Sequence, residues 1–489
     1  MRIIYFDIDT LRADHLSCYG YLRKTSPTID EIAEEGVRFE NCMVSDAPCL
    51  PSRTALFTGR FGIHTGVVGH GGTSADIRIT GRDRGFRDQF ADSCWIPILR
   101  KLGFYPVTIS PFAERHSSWI FYAGWREMYN PGKRGAEIAD DLWAYAEKWL
   151  KENAHKDKWF LHINFWDPHT TYRTPKEFGN PFKDEPIEEW LTEEILLKHR
   201  QSYGPHSAQD LVGFGFPEEI ERARTRNPDL PLEIRTLEDY KRWIDGYDTG
   251  IRYADEFIRK CINILKEKGV YEDTAIIISA DHGENQGELN VYGDHQTADH
   301  ITCRVPLIIK WPGVKPRVDK ALHYHVDMSA TVIELLGGEI PEGWDGKSFA
   351  KAFVEGREEG REFTVMSQCA WSCQRAVRFE NWTLIRTYHT GLKDFPEIML
   401  FDVEKDFHML HNLAEERKDV VGKGLEYLDK WHKEMMKTSS SPVDPMWMVI
   451  REGGPYHTRG FLERYLERLK ATGRGHLIDK ILSRNEPYW

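Results

Sequence analysis

Short apolar runs alternate with amphipathic stretches along residues 1–355, the pattern of a mostly parallel sheet covered by helices on both faces. The candidate strands are 2–6, 105–109, 159–165, 274–279 and 305–310. Ahead of strand 274–279, Ile251, Ala254, Ile258, Cys261, Ile262 and Leu265 recur at helical spacing, with Gly269 as the stop. Residues 180–242 are polar, charged and rich in Pro, Gly and Glu, and read as an insertion of short helices and loops near the sheet's edge. After Gly356 the alternation changes. Residues 376–388 and 398–403 read as strands of a small antiparallel sheet, followed by a helix at 418–437. The tail, 439–489, carries Trp447, Tyr456, Phe461, Tyr465, Tyr488 and Trp489, too many aromatics for a disordered segment. It is expected to pack on the core or on a neighbouring subunit, which is compatible with a homo-oligomer. The expected fold is therefore α/β: a large, mostly parallel sheet sandwiched by helices over 1–355, and a smaller C-terminal α+β subdomain over 356–489 holding a short antiparallel sheet.

At 489 residues the chain can bury one large core with a smaller appendage. A net charge of −12 argues against a nucleic-acid partner, and an anionic substrate needs a locally positive pocket. No stretch has the length and apolarity of a membrane span, and the opening residues run straight into a strand pattern without a signal segment, so a cytoplasmic protein with no membrane partner is expected. The eight cysteines are scattered without disulfide-framework spacing, and Cys369 and Cys373 lack the second pair of a zinc site.

Two apolar runs end in acids: Phe6-Asp7-Ile8-Asp9-Thr10-Leu11-Arg12 and Ile278-Ser279-Ala280-Asp281-His282-Gly283-Glu284. Both fall at the carboxyl ends of predicted strands, the edge at which ligands collect in open parallel sheets. Carboxylate oxygens suit a hard cation such as calcium or magnesium, while His282 leaves manganese or zinc open. Taken singly, an aspartate capping a turn is the commoner reading. The third segment is Cys49-Leu50-Pro51-Ser52-Arg53. Pro51 suits the first turn of a helix, whose free N–H groups and partial positive charge favour an anion. Cys49 just ahead of it and Arg53 inside it would aim a nucleophile and a guanidinium at the same oxygens. Alone, this is equally a buried cysteine before a helix; the three segments together favour a site.

These segments resemble the sulfatase family, within the alkaline-phosphatase-like superfamily. The stretch from Asp9 to Gly20 is similar to the family's opening segment, Cys49 to Arg53 to its C-x-P-S-R formylglycine motif, and Asp281-His282-Gly283-Glu284 to its second metal segment. Arg304 to Ile309 resembles a further landmark, and the likeness runs on through Phe401-Asp402-Val403 to Asn412-Leu413, leaving the insertion and the tail outside it. The resemblance implies that a maturation enzyme oxidises Cys49 to formylglycine. The hydrated form presents two hydroxyls, one to attack sulfur and one to expel sulfate afterwards. It implies a divalent metal, calcium first and magnesium or manganese as alternatives, held by Asp7, Asp9, Asp281, His282 and the modified Cys49, with Arg53 stabilising charge beside the nucleophile. The departing alcohol needs a proton, and histidine is the natural donor near neutral pH. His169, in Trp166-Asp167-Pro168-His169, resembles the family's Pro-His element, and His295 falls where relatives commonly carry a lysine near the sulfate. His116, Arg115 and His300 are further candidates for substrate contact.

The chain departs from the pattern in two places. Thr10 stands where many sulfatases carry a second adjacent aspartate, so Asp7 replaces it, Thr10 contributes its hydroxyl, or the metal has fewer protein ligands. A Lys-x-His element is absent after strand 105–109, where Pro111 to His116 stands instead, with Arg115 and His116 as substitutes. The expected activity is hydrolysis of a small sulfate monoester, a carbohydrate ester ahead of an aryl one. The alternatives are a phosphonate monoester or phosphodiester hydrolase of the same superfamily, and a noncatalytic binding protein in which Cys49 stays unmodified.

Overall fold

The computed structural model of the protein describes residues 1–78 and 92–484. Eight strands form the large sheet, in the spatial order Arg317–Tyr324, Val37–Met43, Arg304–Lys310, Thr274–Ser279, Arg2–Ile8, Trp159–Phe165, Tyr105–Ile109 and Glu127–Tyr129. At its centre Arg2–Ile8 runs parallel to both neighbours, and all seven of its residues are buried, as a sheet covered on both faces requires. Arg304–Lys310 is antiparallel to both of its neighbours. All five strands expected from sequence are present. The three that were not, Val37–Met43, Glu127–Tyr129 and Arg317–Tyr324, include both edge strands and mix polar with apolar positions, so they carry no continuous apolar run.

The expected helix is much longer than its apolar stripe, spanning Leu237–Glu267. Its start is fixed by a reciprocal cap: Asp239 N donates to the Thr236 hydroxyl (3.1 Å) and Thr236 N to the Asp239 carboxylate (3.0 Å). The insertion therefore ends at 236, and the charged residues up to 242 that were read as its last part are the helix's first turn and a half. Gly269 follows with φ +68°, the left-handed stop that glycine adopts without strain.

The second sheet runs Ile398–Asp402, Trp382–His389, Cys373–Phe379, Phe363–Gln368 and Asp46–Ala47. The stretch 376–388 is thus two strands, separated by a turn in which Glu380 takes φ +47°. The last strand comes from the amino-terminal half: Asp46 and Ala47 pair with Ser367 and Gln368, which ties the small sheet to the segment that opens at Cys49. The helix Lys418–Thr438 covers this sheet through Val420, Leu428 and Trp431.

The tail docks on its own chain. Tyr465 and Leu469, on the helix Leu462–Ala471, pack against Tyr203, Phe214 and Phe216 of the insertion. Below them Asp210 accepts from the Tyr465 hydroxyl (2.7 Å) and from Arg474 Nη2 (3.0 Å). Trp447 and Tyr456 are exposed, while Tyr488 and Trp489 lie outside the described residues. All eight cysteines are free thiols, seven of them buried. No helix among the described residues is long and apolar enough to cross a membrane.

His408 joins the insertion to the core. Its ring stacks on Trp190 at 4.4 Å, with Nε2 at 3.3 Å from Glu188 and Nδ1 at 3.0 Å from Glu288. Burial alone would lower its pKa, but hydrogen bonds to Glu188 and Glu288 push it up to about 9. A folded pKa above the ordinary 6.5 means that this contact stabilises fully below about pH 6.5 and is lost as pH rises through about 9. His408→Gln should therefore cost about 2–3 kcal/mol in urea unfolding at pH 6.5 and almost nothing relative to the parent at pH 10. An equal difference at both pH values would contradict this.

Candidate active site

The strand Arg2–Ile8 delivers two carboxylates to its carboxyl end: Asp7, its penultimate residue, and Asp9, just beyond it. Alongside, Thr274–Ser279 leads into Asp281 and His282. The loop after Asp9 is held by Tyr247 of the long helix, whose hydroxyl donates to Thr10 O (2.7 Å) and accepts from Arg12 N (3.0 Å). Gly283 has no room for a side chain, because a Cβ there would fall 2.1 Å from the Ile301 carbonyl oxygen. Cys49 opens the buried helix Cys49–Thr58, and Ser52 Oγ donates to Asp281 O (2.5 Å), locking that helix to the second acidic loop.

Arg53, one turn into the helix, is the hub. Nε and Nη2 bond the two oxygens of Asp7 (2.7 and 3.0 Å), and Nη1 bonds Asp9 (2.8 Å) and Asp281 (2.6 Å). All four residues are at most 1% exposed. Burial works against the Arg53 cation, but Asp281, Asp7 and Asp9 outweigh it and raise its pKa. For Asp7, too, burial is overcome, by Arg53 and His162, which hold its carboxyl below the usual range. Asp281 goes the other way: burial, reinforced by Asp9 and Asp7, wins over Arg53 and raises it well above its ordinary value. Three carboxylates face one guanidinium in a dry site, an excess of acid whose mutual repulsion helps to raise Asp281.

A divalent cation fits that excess. Donor atoms of Asp9, Cys49, Asp281 and His282 lie within 4.8 Å of one another, and the buried Asp9 Oδ1 has no hydrogen-bond partner among the described residues. His282 Nδ1 lies 2.8 Å from its neighbour Gly283 O, which leaves Nε2 facing the Cys49 sulfur at 3.1 Å. Asp7, expected as a ligand, is not in this set. Its oxygens turn to Arg53 and to His162 Nε2 (3.3 Å), because that histidine, on the next strand, stands beside it. Thr10 presents a buried hydroxyl with no hydrogen-bond partner among the described residues. Cys49 itself is 2% exposed, and burial, with Asp9 and Asp281 nearby, raises its pKa. It is a neutral thiol, a poor nucleophile for an anionic ester.

The expected histidines divide into two groups. His295 lies against His282, ring centroids 4.2 Å apart, and His169 lies 5.7 Å from His295 with Nε2 4.0 Å from Asp9. His116 stands next, its ring 6.4 Å from that of Trp166, and Arg115 acts on the Cys49 thiol electrostatically. His300 does not join them. It begins the short helix His300–Cys303, its ring edge-on to Phe407 at 5.4 Å and its nearest charges Arg304 and Arg378. Expected as a candidate for substrate contact, it instead meets Phe407 and the charges of Arg304, Arg378, Asp14 and Arg12.

Sequence reasoning missed His162, although a histidine in the middle of an apolar strand run was a usable signal. It also missed His70, His206, Asp294, Trp371 and His457, which continue the wall from His116 round to His295. His70 lies 5.1 Å from His116 and bonds His457 at 2.9 Å. His457 stacks on Trp371 at 4.6 Å, and Trp371 meets His206 at 5.2 Å. His206 pairs with Asp294 at 2.9 Å, and Asp294 lies 3.7 Å from His295. These residues come from five separate parts of the chain and share no spacing.

A family model described as Sulfatase matches residues 2–338, and one described as N-sulphoglucosamine sulphohydrolase, C-terminal, matches residues 287–433. Among curated proteins, the chain is 25% identical to a choline-sulfatase of Rhizobium meliloti, covering 81% of this chain and 79% of that one. It is also 25% identical to an N-acetylglucosamine-6-O-sulfatase of Bacteroides thetaiotaomicron, covering 89% and 85%. Among solved structures, a phosphonate monoester hydrolase from Silicibacter pomeroyi aligns with a TM-score of 0.68 at 19% identity over 92% of this chain and 97% of that one. A 2-O GAG sulfatase aligns at 0.67 and 17% identity over 89% and 92%. At these identities the solved structures speak for the fold alone: a mostly parallel sheet with helices and a smaller carboxyl-terminal sheet.

Proposed function

Because the chain belongs to the sulfatase family and is a sulfuric ester hydrolase, we propose that it cleaves a carbohydrate sulfate monoester at Cys49, after oxidation of that residue to formylglycine. The observation that carries this reading is the setting of Cys49: a neutral thiol at the start of a buried helix, 3.1 Å from His282, beside three carboxylates and Arg53. As a thiol it has little use there. Once oxidised and hydrated, it would supply one hydroxyl to attack sulfur and a second to expel the sulfate. A divalent cation, calcium by its preference for oxygen donors, would be held by Asp9, Asp281 and His282 and would supply Lewis acidity at that hydroxyl and at the ester oxygens.

The remaining steps belong to side chains of this protein. Arg53 keeps Asp7 ionised and aligns Asp7, Asp9 and Asp281. Burial and the neighbouring His282 push the His295 pKa well below its ordinary value against the pull of Asp294, 3.7 Å from Nε2. His295 is therefore assigned the proton transfer to the departing alcohol oxygen on its position, against His282 and beside Cys49, and not on its resting charge. His169 lies 2.5 Å from its neighbour's carbonyl through Nδ1 and faces Asp9 through Nε2, which suits it to take the proton from the attacking hydroxyl. Because Cys49 is inaccessible in the folded chain, the maturation enzyme that reads residues 49–53 must act before folding is complete. The eight free thiols suit a reducing compartment, and on that ground we place the protein in the cytoplasm.

A second reading, a phosphonate monoester or phosphodiester hydrolase, draws on Thr10, which leaves Asp9 without a second adjacent aspartate; these esters carry one negative charge, as a sulfate monoester does, so charge alone does not separate the readings. Rates on matched sulfate and phosphonate esters of one alcohol separate the two. Sulfate should be faster by at least about tenfold, and the disadvantage of His295→Ala should grow by about 10²-fold as the alcohol's pKa rises. Faster phosphonate cleavage would replace the first reading with the second.

A further inference from the structure

The wall of rings beyond Cys49 continues into a part of the chain that neither family model reaches, for both matches end before residue 434. His457 lies between the tail helices Pro445–Arg451 and Leu462–Ala471. It is built in: its backbone N donates to Ala370 O (3.1 Å), its ring stacks on Trp371 with planes 22° apart, and Nε2 meets His70 Nδ1 at 2.9 Å. The same tail clamps the loop that carries His70, since a Cβ on Gly71 would run into the Tyr456 ring at 2.4 Å. Resting on the reading of Cys49 as the reaction centre, we propose that the tail completes a subsite for the alcohol half of the substrate through His457, His70 and Trp371, and that its occupant is a single uncharged sugar ring.

Three features argue for that occupant. First, the subsite is continuous with the reaction centre, because Trp371 leads through His206 and Asp294 to His295, which shares a 4.8 Å donor cluster with Cys49 and His282. Second, His70 Nε2, His116 Nε2 and His206 Nδ1 are buried nitrogens with no hydrogen-bond partner among the described residues. Unpaired polar atoms around the partly buried Trp371 suit the hydroxyls and the apolar face of a pyranose. Third, the wall offers little positive charge. Burial pushes the pKa values of His70, His116 and His457 down, and the charged groups acting on these three rings are Arg115, Arg53 and Asp294. Arg53 is committed to Asp7, Asp9 and Asp281 and Arg115 also acts on the Cys49 thiol, so both cations serve the reaction centre, and the neutral imidazoles themselves do not favour a second sulfate or a uronate on the same ring.

The test uses the full-length, matured protein and three substrates: N-acetylglucosamine 6-sulfate, the corresponding N,6-disulfated glucosamine, and 4-nitrophenyl sulfate. The parent should prefer the monosulfated sugar to the disulfated one. In His457→Ala and in Trp371→Ala, kcat/KM for the monosulfated sugar should fall about tenfold further than for 4-nitrophenyl sulfate, mainly through KM. His457→Gln, which keeps a polar group on the same backbone, should recover part of the loss. Equal losses on both esters, no loss, or a parent preference for the disulfated sugar would overturn the subsite while leaving the hydrolase reading intact. A parent that cleaves none of the three esters overturns the hydrolase reading, and the subsite with it.

Discussion

Cys49→Ala should abolish turnover of a sulfate ester, lowering kcat/KM by at least about 10⁴-fold, while the protein stays folded. The fold should survive because the side chain is small and its one polar contact among the described residues is His282 Nε2 at 3.1 Å. Deleting the sulfur leaves a void that costs about 1 kcal/mol. Chemistry should not survive, because the other groups here are carboxylates already committed to Arg53 and imidazoles placed to move protons. Cys49→Ser is the sharper variant. A serine hydroxyl can attack sulfur, forming a bond to it as the alcohol departs, but it has no second hydroxyl to push the sulfate off. One equivalent of alcohol should therefore be released, the protein should gain about 80 Da, and turnover should stop. Sustained turnover by Cys49→Ala would remove Cys49 from the chemistry altogether.

Arg53→Ala should be the most destabilising single change in the site. Arg53 makes four charge-assisted hydrogen bonds to Asp7, Asp9 and Asp281, and its loss leaves three buried carboxylates facing one another. Removing one partner from a buried ionic cluster costs about 3–5 kcal/mol. In chelator-treated protein, urea unfolding should show that loss in full. Millimolar calcium should restore part of it, because a divalent cation at Asp9 and Asp281 takes over part of the charge balance. Arg53→Lys should fall between, since one ammonium cannot bridge three carboxylates as a planar fork does. If Arg53→Ala unfolds at the parent's urea concentration in chelator, the cluster is not held together as described.

Much of this was legible in the sequence, for reasons that can be named. The central strands are long apolar runs because both of their faces are covered, so they stand out without any knowledge of the fold. The acidic pairs at their ends, and Cys49 ahead of Pro51, stand out because each sits within a few residues of such a run. What was not legible depends on contacts distant in sequence. Asp7 looks like a ligand in the motif, and only the packing that brings it Arg53 and His162, which pairs with Tyr5 on the next strand, shows that its oxygens are engaged. The start of the long helix was hidden because its first residues, Leu237 and Glu238, are exposed and the charged residues Asp239, Lys241 and Arg242 are interspersed with its buried Tyr240 and Trp243. His300 belongs to the same segment as His295, yet a short helix begins at it and carries it to Phe407. His457 could not be found at all, since its place is set by how the tail folds back on Trp371.

The account rests on the oxidation state of one residue. Mass analysis of the peptide containing Cys49, from catalytically active protein made in its own host, tests it most directly. The expected result is a peptide about 18 Da lighter than the thiol form, the difference between a cysteine and an aldehyde at that position. An intact thiol at Cys49 in fully active protein would contradict it.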